Sequence, residues 1–222
     1  MESIRVIWAG EREAHLAVPR GRAVACYEAL VAAGFDGITE STPGSMTVQV
    51  RLPDDADPAE TVELARSIVK QCADAGADHP RRVVEIPICS DPDLAPDLNS
   101  IAHNAGLSID AAAELHASCT YSVRFLGFSP GFPYLDGLPE PLHAPRLESP
   151  RARVRAGSVG IAGDRTGIYP QATPGGWRLV GATPLRLFDP NRDPPALLAP
   201  GDRVRFRRID RAAFDAFDPE MC

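Results

Sequence analysis

The sequence predicts an α+β protein in two parts, a small α/β sandwich over residues 1–80 and a β-rich domain over residues 81–222. Two observations carry this prediction. The first part alternates short apolar strand patterns with amphipathic helix patterns, and a polar connection at residues 74–82 ends it. In the second part, residues 127–201 contain 11 glycines and 13 prolines. Average composition would give about nine in all, so turns must be frequent there.

Strands come first in the opening part. Residues 4–8 and 15–18 are predicted strands, and residues 22–33 form a predicted helix that ends at Gly34. Residues 46–52 alternate apolar and polar side chains, which is typical of a strand with one buried face.

The second helix of this part has a clear start signal. Asp57 can accept hydrogen bonds as N-cap, Pro58 suits the first helical position, and Glu60 completes a capping box. The apolar positions that follow share one face of the helix, as an amphipathic helix requires: Val62, Ala65, Val69 and Cys72.

The second part opens with a predicted strand at residues 83–88. Two short helices follow at residues 94–104 and 108–116, the second capped by Ser108. Residues 121–128 are rich in aromatic and branched side chains, which predicts another strand.

The glycine- and proline-rich stretch carries further strand patterns. Such composition often signals disorder, but short apolar segments between turn residues indicate a compact β-barrel or β-sandwich instead. The predicted strands are residues 158–162, 167–169, 177–180, 185–188 and 204–208.

Bulk composition predicts a soluble, cytoplasmic protein. No apolar stretch approaches the ~20 residues that cross a bilayer, and no leader pattern opens the chain. The cysteines are odd in number, scattered and never spaced as CxxC, so we expect reduced thiols. They are Cys26, Cys72, Cys89, Cys119 and Cys222.

Charge and residue usage exclude several classes of function. The net charge is −7, without the concentrated positive charge that nucleic acids require. Lys70 is the single lysine, which excludes a P-loop and a catalytic lysine, so any ATP is expected to bind elsewhere. His116 and Cys119 form an HxxC pair without a second ligand pair, so no metal site is predicted.

Residues 127–131 match the G-x-S-x-G pattern of a hydrolase nucleophile elbow. That elbow uses the backbone N–H after the serine for its oxyanion hole, and here the residue is Pro130, which has none. The elbow also opens a helix, which the prolines that follow forbid. We therefore do not expect serine hydrolysis.

Glycines and aromatic residues together predict a groove. Gly157, Gly160, Gly163 and Gly167 allow close approach by a ligand or by another backbone. Five aromatic side chains can either line that groove or fill the core of the domain, and the pattern does not choose between these roles. They are Phe128, Phe132, Tyr134, Tyr169 and Trp177.

Hydroxyls and one histidine are further candidates. Ser158, Thr166 and Tyr169 lie on the glycine-rich strands and can hydrogen-bond a small amide or carboxylate. His116 is predicted to end a helix, where the helix dipole favours an imidazolium, so it is either a proton carrier or a structural histidine.

Two arginines complete the predicted site. Arg146 and Arg151 each follow a proline and can grip a carboxylate or phosphate. The alternative is structural pairing with nearby acids, namely Asp136, Glu140 or Glu148. No catalytic residue can be assigned from these patterns.

Several segments of the second part resemble one protein family. Two proline-arginine pairs, Pro145-Arg146 and Pro150-Arg151, lie between aromatic and glycine-rich segments in the order and spacing of the KipI/PxpB family, also called allophanate hydrolase subunit 1. The other matching segments are residues 127–138, 157–163, 166–170, 174–177 and 183–188.

The sequence departs from the family pattern at several positions. Arg155 stands where the family has proline, Asp164-Arg165 stands where a glutamine is expected, and Ala182 replaces an arginine. Residues 89–97 lack the family's glycine-containing segment. Any role of the missing glutamine is therefore not carried over to this chain.

The resemblance implies a fold and a function. It implies a cyclophilin-like β-barrel in the second part, and a B-type subunit that is inactive alone. With a C-type subunit of related fold and an A-type subunit, such proteins hydrolyse the lactam 5-oxoproline to glutamate with ATP. Some relatives instead inhibit a sensor histidine kinase, and the same domain resembles a carboxyltransferase component of urea carboxylase, so both alternatives stay open.

Overall fold

A computed structural model describes residues 4–19, 22–33, 40–44, 46–75 and 82–217. The chain divides into two compact units, Met1–Pro80 and Arg81–Cys222, and each is considered by itself. Gly34 and most of the predicted connection at residues 74–82 lie outside the described residues.

Among its described residues, the first unit contains a four-stranded antiparallel sheet in the order β1-β2-β4-β3 and two helices. The elements are β1 (Val6–Trp8), β2 (Glu13–Ala17), α1 (Ala23–Ala32), β3 (Glu40–Pro43), β4 (Thr47–Arg51) and α2 (Pro58–Ala75). Strand β3 was not predicted. It lies at the sheet edge, where the missing N–H of Pro43 is tolerated.

Alternation of side chains along the strands builds the core of this unit. Leu16 on β2 and Val48 and Val50 on β4 are fully buried, and they join the apolar face of α2 in one cluster. Asp57 caps α2, since its Oδ1 accepts from the amide of Ala59 at 2.8 Å and from that of Glu60 at 3.3 Å. The helix signal and the strand pattern of this unit are therefore confirmed.

The second unit contains nine strands and three helices among its described residues. The early elements are β5 (Val83–Ile88), α3 (Leu98–Ala105), α4 (Ile109–Ala117), β6 (Thr120–Leu126), β7 (Pro133–Asp136) and a 3₁₀ turn (Glu140–Leu142). The later ones are β8 (Arg151–Val154), β9 (Ser158–Ala162), β10 (Arg165–Ile168), β11 (Thr173–Gly175), β12 (Arg178–Ala182), β13 (Arg203–Arg208) and α5 (Arg211–Asp215).

Seven of these strands form one curled sheet in the order β12-β9-β10-β7-β6-β13-β5. Only β13 and β5 pair in parallel. The two edge strands meet at a bridge in which Cys89 and Ala182 exchange two backbone hydrogen bonds of 2.9 Å. Strands β8 and β11 pair separately. The chain thus has a mixed α/β fold with a curled sheet, while a cyclophilin-like barrel remains an expectation.

The core of the second unit lies between this sheet and the helices α3 and α4. Ile101 on α3 and Ala112 on α4 pack against strand residues such as Val159, Ile161 and Val204. Ser108 caps α4 as predicted, accepting from the amide of Ala111 at 3.1 Å.

Two sequence predictions for this unit are wrong in detail. The helix predicted at residues 94–104 begins only at Leu98, because Pro96 disfavours a helical conformation before it. Residues 185–188 form no strand, since Pro184 lacks an N–H and Phe188 bridges only Ala196. Strands β7, β8 and β11 were not predicted, and two of them contain proline.

None of the helices in the described part of the chain is both long and apolar enough to cross a membrane.

Candidate functional site

Five aromatic side chains gather at one place in the second unit and are called here the aromatic cluster. Phe132 lies at the centre, with its ring centroid 5.1 to 5.4 Å from those of the other four. Three of the four contacts are edge-to-face, an arrangement that stabilises aromatic pairs. The members are Phe128, Phe132, Tyr134, Tyr169 and Trp177.

Strand order explains why distant residues meet here. Phe132 and Tyr134 lie on or beside β7, Tyr169 directly follows β10, and Trp177 directly precedes β12. The strands β7, β10, β9 and β12 are consecutive in the sheet, so their neighbouring residues lie on adjacent strands. The prediction that these aromatics come together is consistent with the structure.

Gly160 and Gly167 lie against the cluster, and other residues of the chain occupy the space where their side chains would be. A Cβ on Gly167 would lie 2.8 Å from the carbonyl of Pro133 and 2.9 Å from the ring of Trp177. A Cβ on Gly160 would lie 3.0 Å from Cβ of Trp177. These two glycines therefore serve close packing of aromatic side chains, and they do not form an open groove.

We expect Gly167→Ala to lower the free energy of unfolding by at least about 2 kcal/mol, because the added methyl group overlaps a backbone carbonyl as well as the Trp177 ring. Chemical denaturation of the purified protein measures this. Gly10→Ala is the control, since among the described residues no atom beyond Gly10 and its two chain neighbours lies within 4 Å of its Cβ position. Equal stability of the two variants would contradict the packing role of Gly167.

The members of the aromatic cluster differ in how far they are buried. Phe132, Tyr169 and Trp177 are buried in a small core with Val154 and Leu179. Phe128 is different, since 62% of its surface is exposed. For the buried members, the core-filling alternative is the one that the structure supports, whereas Phe128 is available to a ligand or partner.

The backbone of Phe128 is in a strained conformation. Its φ of 67° lies in the left-handed region, which non-glycine residues adopt rarely and at some cost. The amide of Ser129 donates to the carbonyl of Gly127 at 2.8 Å, and this tight turn presents the Phe128 ring to solvent. After Ser129 comes strand β7 and no helix, in agreement with the rejection of a hydrolase elbow.

His116 and Thr166 form a buried pair apart from the aromatic cluster. His116 Nε2 lies 3.1 Å from Thr166 Oγ1, and Thr166 Oγ1 donates to the carbonyl of Gly160 at 3.0 Å. Because the hydroxyl has one proton, it must accept from His116, which places the imidazole proton on Nε2. The His116 ring packs against Tyr121 and Phe206.

Of the two alternatives for His116, a proton carrier or a structural histidine, the structure supports the second. The residue is 2% exposed, and burial lowers its pKa from 6.5 to about 4. The ring is therefore neutral near pH 7, and its buried Nδ1 has no hydrogen-bond partner among the described residues. His116 acts as a structural residue of the core, and the helix pattern alone could not choose between this role and that of a proton carrier.

Arg151 is committed to the fold. Its Nη2 donates to both carboxylate oxygens of Asp97 at 2.8 Å, and its Nη1 to the carbonyl of Trp177 at 3.3 Å. Asp97 also accepts from the amide of Leu179 at 2.6 Å. Structural pairing was therefore the right alternative for Arg151, but with Asp97 in place of the acids close in sequence.

Arg165, at the position of the missing glutamine, also forms an ion pair. Its Nε donates to Asp136 Oδ1 at 3.1 Å, and Arg124 donates to the other oxygen of Asp136 at 2.6 Å. This triad joins the neighbouring strands β6, β7 and β10. The substitution thus replaces a neutral side chain by a charge that is neutralised in the fold.

The two remaining predicted site residues, Ser158 and Arg146, differ in exposure. Ser158 is buried at the start of β9, and its carbonyl accepts from the amide of Tyr169 at 2.9 Å. Arg146 is exposed, and within the described residues its guanidinium makes no ion pair. Of the two predicted arginines, only Arg146 is thus available to bind an anion.

A cleft of about 1020 Å³ also opens on the second unit, and its lining includes Pro130 and Pro170. None of the ten residues predicted for the site lines it. Its wall includes Arg186, whose guanidinium lies 2.8 Å from Asp189. Gly157, Gln171, Thr183 and Phe188 also line it.

The aromatic cluster is suited to binding and not to catalysis. Burial raises the pKa of Tyr169, so its hydroxyl stays protonated near pH 7 within the core. The cluster itself holds no histidine, carboxylate or thiol that could act as a base or nucleophile. Its exposed parts are suited to contact a ligand or another subunit.

Comparison with known proteins identifies a matching family and several similar proteins. Residues 5–198 match the family described as "Carboxyltransferase domain, subdomain C and D". The chain is 48% identical over 172 residues to the B-type subunit of 5-oxoprolinase from Escherichia coli O157:H7, covering 76% of this chain and 77% of the relative.

Solved structures are similar as well. TTHA0988 superposes with a TM-score of 0.74 at 36% identity over 89% of this chain, and the chain spans 40% of the length of that protein. The urea carboxylase of Kluyveromyces lactis superposes with a TM-score of 0.72 over 96% of this chain and 22% of its own. At 19% identity, the second likeness shows the fold alone.

Proposed function

This chain belongs to the carboxyltransferase-domain family of subdomains C and D, and from that membership we propose that it is the B-type subunit of an ATP-dependent 5-oxoprolinase. The single observation that carries the proposal is the 48% identity to the B-type subunit of a 5-oxoprolinase over three quarters of both chains. The proposed reaction opens the lactam 5-oxoproline to glutamate.

The proposed fold of the second unit is a cyclophilin-like β-barrel. The support is the bridge between Cys89 and Ala182, which brings together the first and last strands of the seven-stranded sheet. A closed sheet leaves few unpaired edges, so we expect contact with another subunit to use its outer side chains and not strand pairing.

The aromatic cluster suits a composite site better than a complete one. Its buried members form a rigid platform, and Phe128 projects from it. A lactam is a resonance-stabilised amide, so hydrolysis requires activation, which phosphorylation of the carbonyl oxygen by ATP would provide. Because this chain has no P-loop lysine, we propose that ATP binds on a partner and that this chain forms one wall of the site.

Co-purification tests the partnership. A tagged copy of this chain, expressed with C-type and A-type subunits, is expected to retain the C-type subunit through size-exclusion chromatography. Mixtures with and without the A-type subunit should be compared. Elution of this chain as a separate species from every mixture would contradict the proposal.

We expect Phe128→Gly to weaken binding of the partner subunit while leaving the stability of the chain nearly unchanged. Glycine adopts the left-handed conformation without strain and the lost ring is mostly exposed, so the free energy of unfolding should change by less than about 1 kcal/mol. Loss of an exposed aromatic anchor should weaken binding of the C-type subunit about tenfold or more, measured by titration calorimetry.

Ile109→Ala is the control for this variant, because Ile109 is also exposed in the same unit but lies outside the aromatic cluster. It should bind the partner as the unchanged chain does. Normal partner binding by Phe128→Gly would remove Phe128 from the interface.

A role in a urea carboxylase is the second candidate. The superposition on the Kluyveromyces lactis enzyme supports it at the level of the fold. That function would require a biotin-bearing partner, so biotin-dependent carboxylation of urea in a mixture that forms no glutamate from 5-oxoproline would favour it.

A further inference from the structure

The cleft of about 1020 Å³ on the second unit is large enough for a drug-sized ligand, since such ligands occupy pockets of about 300–1,000 Å³. Most of the residues that line it are apolar, and they include Leu185, Phe188, Leu197 and Phe214. A compact lactam such as 5-oxoproline would fill only a small part of this space. The size of the cleft therefore suits a larger ligand than the substrate of the proposed reaction.

Backbone hydrogen bonds hold the walls of this cleft in place. The amide of Gly157 donates to the carbonyl of Tyr169 at 2.7 Å, and the amide of Thr183 donates to the carbonyl of Gly157 at 2.8 Å. The amide of Leu197 donates to the carbonyl of Leu187 at 2.8 Å and closes the loop between them. Four prolines in the lining restrict the backbone further. The cleft is thus formed without a ligand, which lowers the cost of ordering on binding.

Positive charge exceeds negative charge in the lining. Its charged members among the described residues are Arg186, Asp189 and Arg192, so two guanidinium groups and one carboxylate leave a net charge of +1. The backbone amide of Asn191 and both guanidinium groups lower the pKa of Asp189, which is therefore ionised near pH 7. The whole chain has a net charge of −7, so this concave region differs in sign from the rest and attracts anions.

Both arginines keep donors for a ligand. Within the described residues, Arg186 hydrogen-bonds only through Nη1, to Asp189 at 2.8 Å, and 66% of its side chain is exposed. Arg192 donates through Nε and Nη2 to backbone carbonyls, including that of Pro195 at 3.1 Å, which fixes the side chain and leaves Nη1 for a ligand. Asp189 already accepts through both oxygens, Oδ1 from the amide of Asn191 and Oδ2 from Arg186.

We propose that this cleft binds an organic anion that carries one carboxylate and an apolar body, with the carboxylate in contact with Arg186 and Arg192. Guanidinium groups match the planar carboxylate, and Leu185 and Phe188 provide the apolar contact. A zwitterion is disfavoured, because its ammonium group would compete for the oxygens of Asp189 that are already occupied. This ligand is distinct from the lactam of the proposed reaction.

Fluorescence titration of the full chain at pH 7 tests the site without requiring activity. The probe is dansylglycine, which joins one carboxylate to a naphthalene body, and the matched ligand is its neutral amide, dansylglycinamide. We expect saturable binding of dansylglycine, at least about tenfold tighter than that of the amide, because only the acid pairs with the arginines.

Arg186→Met and Arg192→Met should each weaken dansylglycine binding about tenfold or more while leaving binding of the amide nearly unchanged. Arg207→Met is the control, since Arg207 also pairs with one carboxylate, Glu85 at 2.7 Å, and is exposed but does not line the cleft. It should bind both ligands as the unchanged chain does.

A second variant tests the location by volume and not by charge. Ala172 lines the cleft and is exposed, so Ala172→Trp should block the space and abolish binding of both ligands while the fold persists. Ala152→Trp is its control, because Ala152 is exposed on β8 but lies outside the lining. Thermal unfolding of each variant verifies the fold.

Three results would overturn the site: no preference for dansylglycine over its amide, unchanged binding by Arg186→Met, or unchanged binding by Ala172→Trp. Failure of the 5-oxoprolinase assignment has a different signature. In that case the assembled subunits form no glutamate from 5-oxoproline, whereas dansylglycine still binds through Arg186.

Discussion

Asp97→Asn is expected to lower the free energy of unfolding by about 3–5 kcal/mol, the largest effect of any single substitution proposed for this protein. Asp97 accepts two hydrogen bonds from Arg151 and one from the amide of Leu179, and all three groups are at least partly buried. Removing its charge leaves Arg151 uncompensated. Urea denaturation monitored by tryptophan fluorescence measures the loss.

Glu85→Gln is the control for this prediction. Glu85 also pairs with an arginine, Arg207, but both side chains are more than half exposed, so the loss should stay below about 1 kcal/mol. A double variant, Asp97→Leu with Arg151→Met, should recover part of the stability because no buried charge remains. Similar losses for Asp97→Asn and Glu85→Gln would contradict the structural role of Asp97.

Acid should destabilise the second unit through His116. Its pKa is about 4 in the folded chain and 6.5 when exposed, so between these values the unfolded state binds more protons. The contribution of the neutral ring is fully present above pH 6.5 and is lost as the pH falls to about 4. A shift of this size corresponds to roughly 3 kcal/mol.

The measurement is the free energy of unfolding at several pH values for the unchanged chain and for His116→Leu. Leucine cannot titrate, so the variant should lose less stability between pH 6.5 and 4, although carboxylates contribute to both curves. It should also be less stable at pH 7, because Thr166 loses its donor. Parallel curves would show that His116 is solvated in the folded protein.

Strong local patterns made several elements predictable. The strands at residues 83–88 and 158–162 were predicted with the bounds that the structure has, because each is a short run of branched apolar residues between turns. The strands β3, β7 and β11 were missed because each contains a proline. Their place at a sheet edge or strand start, which tolerates proline, is a property of the tertiary structure.

The meeting of the five aromatic residues was predictable from the sequence, but the burial of each one and the places of the other predicted site residues were not. Aromatic residues that the motifs singled out do meet, yet no local pattern shows that Phe132 fills the core while Phe128 is exposed. The pairs His116–Thr166 and Asp97–Arg151 are separated by 50 and 54 residues. Such pairs depend on which strands become neighbours, and spacing along one segment cannot reveal them.

The measurement that tests the central claim most directly is ATP-dependent formation of glutamate from 5-oxoproline by purified subunits. The account predicts product when this chain, a C-type subunit and an A-type subunit are all present, and none when this chain is left out. Equal product without this chain, or none from the complete mixture while the subunits co-purify, would contradict the assignment to a 5-oxoprolinase.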